Sequence, residues 1–192
     1  GSGSETGGGD TFDSDGSRPD VPASGIELID LEANQGVSVA VAMGGSAIAP
    51  GARVTPLLHG RTTLLRATWV LDPASPPRTI EARLVLGYPD GTSETLVDTR
   101  DVGGPSDLSV ADSTFRWTVD AEQAAPETTY EIQLFETSNS DVGLERSPAF
   151  PSQGPAPLGF GSAPMKLRIV AIPVTTPSGG VVATPALKEA FE

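Results

Sequence analysis

The sequence contains no cysteine and a single histidine, His59. Most hydrolytic, redox and metal chemistry draws on those two side chains. Without cysteine a disulfide-stapled fold is excluded, and the redox compartment stays open. With one histidine and no thiol, a tetrahedral zinc site would need three carboxylates, which zinc rarely uses. Bases are also scarce: 12 Lys and Arg stand against 25 Asp and Glu, a net charge of -13. Such a surface repels phosphate, so nucleic acid and anionic lipid are poor partners. No apolar run is long enough to span a bilayer. No positively charged start with an apolar stretch behind it marks a signal peptide within these residues. The G-x-S-x-G elbow, the Asp-Thr-Gly triplet and the glycine-rich phosphate loops are all missing. Asp98 and Thr99, for example, are followed by Arg100.

Glycine and proline are plentiful, at 22 and 18 in 192 residues. That length fits one domain of ordinary size with extensions. Residues 1–25 read as a disordered tether of Gly, Ser and Asp. Its acids (Glu5, Asp10, Asp13, Asp15, Asp20) face one base, Arg18. Such a stretch buries too little to offset the entropy of ordering.

From Ile26 the pattern changes to short alternating apolar runs, the mark of half-buried strands. Ile26 and Leu28, then Val37, Val39 and Val41, open the series. TLLRATWVL offers Leu64, Ala67, Trp69 and Leu71 to a core. RTIEARLVLGY alternates Ile80, Ala82, Leu84 and Leu86 with Glu81, Arg83 and Val85, and YPDGT turns it into TSETLVDTRDV. Pro followed by Asp-Gly is a hairpin signal. STFRWTVDA and TTYEIQLFET supply Phe115, Trp117 and Val119, then Tyr130, Ile132 and Leu134. A weak strand is expected at 142–145 and a strong one in MKLRIVAIPV. The expected fold is all-β: an antiparallel Ig-like β-sandwich of about seven to nine strands. It spans residues 26–174. Residues 175–192 read as a linker and the start of a helix, capped by Thr184 with Pro185 at its first position. A helix of about two turns reads as the opening of a truncated following domain.

The side chains that could carry chemistry each have a plainer reading. His59 in PLLHGR reads as a loop histidine. Asp13, Asp15 and Gly16 resemble the start of a calcium loop, but the full pattern is absent. Asp90, Asp107 and Asp112 read as turn residues. Glu94 and Asp98 form an acid pair of the kind any acidic β domain has. Tyr130 opens a strand after a corner, where Ig-like sandwiches return a tyrosine hydroxyl to upstream backbone. No catalytic, cofactor-binding or metal-ligating residue is assigned.

Two stretches carry a resemblance. They are Asn34, Gln35, Gly36 and Val37, then Pro56, Leu57, Leu58, Gly60, Arg61, Leu64, Leu65 and Arg66. They resemble the N-terminal β-sandwich region of secreted zinc metallopeptidases of the mucin-cleaving kind, and of related large bacterial lipoproteins. In that family the catalytic H-E-x-x-H helix lies downstream; this sequence has none, so no catalytic residue carries over. The resemblance implies a non-catalytic role at the bacterial surface or outside the cell, with the tether following a lipid anchor. Arg61 and Arg66 are then structural, bonding the 43–60 connection.

The expected function is an accessory or binding domain that supports a downstream domain or binds a protein or glycan surface. The alternative is a freestanding subunit of a surface fibre built by strand addition. A hydrolase working with carboxylates alone is the least favoured reading. The membrane enters only through an N-terminal lipid anchor, and the oligomeric state is left open.

Overall fold

The computed structural model describes residues 21–110, 112–138 and 143–161. The DSDG stretch, the strand expected in MKLRIVAIPV and the helix expected from Thr184 lie outside the described residues.

Seven main strands form the two sheets. They are β1 (Ile26–Asn34), β2 (Ser38–Met43), β5 (Thr63–Leu71), β6 (Arg78–Gly87), β7 (Ser93–Val102), β8 (Phe115–Val119) and β9 (Thr129–Glu136). Four two-residue strands complete the set: β3 (Ser46–Ala47), β4 (Leu57–Leu58), β10 (Ala156–Pro157) and β11 (Phe160–Gly161). One antiparallel sheet runs β3-β2-β1-β5-β8 and the other β10-β9-β6-β7. The β11–β4 pair is parallel. The fold is all-β, an antiparallel β-sandwich. β1-β5-β8 stands against β9-β6-β7, and both sheets feed one apolar cluster. Trp117 on β8 donates its indole N–H to the Ala82 carbonyl of β6, 3.4 Å away across the two sheets. Trp69, Phe115 and Trp117 form the aromatic centre, with ring centroids 4.8 and 6.2 Å apart.

The hairpin at YPDGT forms as its residues require. Gly91 takes a φ of +83°, which a side chain would oppose, and Tyr88 exchanges backbone bonds with Gly91 and Thr92. In β5 the inward set is Leu65, Ala67 and Trp69, while Leu64 points outward. Two adjacent leucines left that parity open, and the expected core role of Leu64 is corrected to Leu65. The weak strand expected at 142–145 is not formed at 143–145; the chain makes a single bridge at Arg146, to Ser24.

Residues 21–25, expected in the tether, pack on the sandwich, with Ala23 and Ser24 buried. Glu136 donates its backbone N–H to Val21, and Ala23 donates to Leu134. The same edge of β9 is met by Phe150 at Ile132, Ala156 at Tyr130 and Leu158 at Thr128. Three separate segments thus cover one strand edge, which would otherwise be open to pairing.

A buried ion pair fixes the N-terminal segment. Arg78 Nε lies 3.0 Å from the Glu136 carboxylate, and both side chains are almost fully buried. Glu136 also accepts the Ser24 N–H at 3.3 Å, and Arg78 donates to the Ser24 carbonyl. Each charge has its hydrogen bonds met, the condition under which such a pair is tolerated in a core.

Candidate functional site

The residues of the two resembling stretches meet in one structural knot. Asn34 Oδ1 accepts the Gly36 N–H at 2.8 Å, closing the turn that Gly36 allows with a φ of +109°. The Gln35 amide then reaches across to the second stretch. It accepts the Leu58 N–H at 2.8 Å and donates to the Leu58 carbonyl at 2.9 Å. It donates as well to Thr63 Oγ1 at 2.7 Å. One side chain so imitates a strand partner for the 57–63 segment. Below the knot His59 donates its backbone N–H to Gly161, and Gly60 donates to Ala124. The His59 ring itself is exposed. These bonds hold the loops of the two stretches together.

The arginines act differently from expectation. Arg61 is exposed; its carbonyl, not its side chain, takes part in the knot. Arg66 does not bond the 43–60 connection. It crosses to the other side and donates to Thr114 Oγ1 at 3.4 Å and to the Leu108 carbonyl at 3.0 Å. The 43–60 connection is held by Arg53, which sequence reasoning missed. Arg53 donates to the carbonyls of Ile48, Pro157 and Leu158. Burial lowers its pKa from the usual arginine value, with the nearby Tyr130 acting the other way.

Tyr130 is fully buried, yet its hydroxyl has no hydrogen-bond partner among the described residues. The expected bond back to upstream backbone is not made. The phenol points into the apolar sandwich; burial pushes its pKa up, against the pull of the Arg53 charge.

Asp90 and Asp107 are turn residues as expected. Asp90 accepts the Thr92 hydroxyl and N–H at 2.6 and 2.9 Å, and Asp107 accepts those of Ser109 at 2.6 and 2.8 Å. In each case the hydroxyl bond, then the amide bond, lowers the carboxyl pKa. Asp112 does more than shape a turn. It lies 3.3 Å from Arg100 and 3.1 Å from Arg116, bridging β7 to β8. Glu94 and Asp98 do not work as a pair. Glu94 accepts the Tyr88 hydroxyl at 3.1 Å, whereas Asp98 binds Arg100 and the Arg116 N–H, each at 2.8 Å. Among the described residues no group of three or more His, Asp or Glu side chains could hold a metal ion.

No family model, no curated protein and no solved structure matches this chain. The metallopeptidase and lipoprotein resemblance therefore rests on the two short stretches alone. The Gln35 knot gives their residue types a packing reason that requires no shared activity.

Proposed function

We propose that this sandwich is a non-catalytic accessory or binding domain of an exported, surface-anchored bacterial protein, supporting a domain that follows it. One observation carries the reading: the acidic Gly/Ser stretch joins the sandwich through a built attachment. Residues 21–24 run antiparallel to β9 and are held by the buried Arg78–Glu136 pair. Load arriving along a tether would be shared by several backbone bonds and a charged clamp. A domain loaded through its N-terminal end needs such a fastening; a trailing linker does not. The partner surface is protein or glycan, or the following domain, and the net charge of -13 argues against nucleic acid.

A freestanding fibre subunit is the second reading. Its support is the outer edge of β7, ten residues long, which pairs with no other strand among the described residues. That edge carries Glu94, Asp98, Arg100 and Asp101, charges of the kind that oppose edge-to-edge addition. The open reading frame around this stretch separates the two. A lipidation signal upstream and a further domain downstream are expected. A stop codon just past Glu192 would favour the fibre subunit.

A further inference from the structure

We infer that the outer face of the β5–β8 pair binds the free carboxylate terminus of a peptide ending in an apolar residue. The register sets Arg66 directly opposite Arg116. Like charges at directly opposed positions repel, since their Cβ atoms stand only about 5 Å apart. The two are neutralised unequally. Arg116 shares Asp112 with Arg100, and that carboxylate is 84 % exposed. Among the described residues Arg66 bonds only to a hydroxyl and a carbonyl, both neutral. On its other flank the register sets Glu32, but that carboxylate accepts the Ser38 hydroxyl at 2.9 Å and makes no ion pair with Arg66 among the described residues.

The guanidinium of Arg66 is held in place before any ligand arrives. The connection that follows β7 folds back along β5, where Trp69 fastens it. The Trp69 N–H donates to Ser106 Oγ at 2.7 Å, its carbonyl accepts the Ser106 N–H at 3.1 Å, and its indole donates to Gly104 at 2.9 Å. Arg66 ties the same connection at Leu108. Between loop and sheet lies a groove of about 300 Å³, lined by Leu64, Arg66, Leu108, Ser109 and Arg116. Its two leucines are 37 % and 44 % exposed.

A carboxylate set between two guanidinium forks satisfies both and removes their repulsion. The leucines provide for an apolar side chain beside it. The groove has room for one terminal residue rather than a folded surface. A polyanion would meet the repulsion of the whole acidic chain, while a single terminal carboxylate meets little of it.

The test titrates the full chain with acetyl-Gly-Ala-Leu bearing a free carboxylate, followed by the Nε–H signals of Arg66 and Arg116 in NMR. Shifts of both signals are expected, saturating at millimolar peptide. The C-terminal amide of the same peptide should bind at least about tenfold more weakly, since it loses the charge-assisted bonds. Arg66→Gln and Arg116→Gln should each weaken binding by a similar factor, with the thermal unfolding of each variant recorded to show that it folds. Arg66→Lys should weaken binding too, because an ammonium lacks the planar fork. Equal binding of acid and amide would overturn the inference. So would acetate binding as tightly as the peptide, which would leave an anion site without an apolar subsite. Absence of any shift at tens of millimolar peptide would also overturn it.

Discussion

Tyr130 carries a hydroxyl that is fully buried and bonds to nothing among the described residues. An unsatisfied buried hydroxyl is destabilising by roughly 1–3 kcal/mol. Tyr130→Phe is therefore expected to leave urea stability unchanged or to raise it by about 1 kcal/mol; a loss of that size would restore the corner hydrogen bond. Tyr88 is the only other tyrosine. Burial, then the bond to Glu94, pushes its pKa to about 12. Both phenols are thus raised above the ordinary value near 10. A raised phenol pKa contributes stability that is present below pH 10 and lost as pH climbs through the folded value. Absorbance at 295 nm should show little tyrosinate in the folded chain at pH 10, and about half ionisation in denaturant at the same pH. Gly159 is a third test. Its φ is +71°, and an added Cβ would stand 2.6 Å from Pro50 Cβ. Gly159→Ala should lower unfolding free energy by roughly 2–4 kcal/mol, from strain and overpacking together.

Among the elements, β9 shows what alternation conveys and what it hides. Tyr130, Ile132 and Leu134 all point inward, as period two requires. Continued by two residues, the same parity turns Glu136 inward. Arg78 likewise shares the parity of Ile80 and Ala82 on β6. An acid and a base at inward positions of two strands were a readable sign of a buried pair. The partnership itself was not readable, because Ser24, Arg78 and Glu136 meet only through long-range pairing. The attachment of 21–25 was hidden for a related reason: Val-Pro-Ala-Ser-Gly has no alternating apolar run and reads as linker, and of its apolar side chains only that of Ala23 is buried. Glu136→Gln should destabilise by about 3–5 kcal/mol by leaving Arg78 buried without its counter-charge. Replacing both with apolar residues should recover most of that loss, which chemical denaturation of the two variants would measure. The Gln35 knot behaves the same way. Both stretches were visible, but the bond between them was not. Gln35→Glu should fail to replace Gln35, since a carboxylate can accept from Leu58 but not donate to it.

For the molecule as a whole, the fold class was legible because β6, β8 and β9 alternate buried with less buried side chains along their length. The connections were not, since Arg53, Arg66 and Arg116 act through loops whose paths depend on tertiary pairing. The functional reading rests on the acidic N-terminal stretch and the fastening of residues 21–24 to β9. The proposed function puts the sandwich outside the cell. Antiserum raised against residues 21–161, applied to intact cells of the source organism and to permeabilised ones, tests that placement most directly. Equal labelling of intact and permeabilised cells is expected, with the signal lost after protease treatment of intact cells. Labelling only after permeabilisation would contradict an extracellular accessory domain.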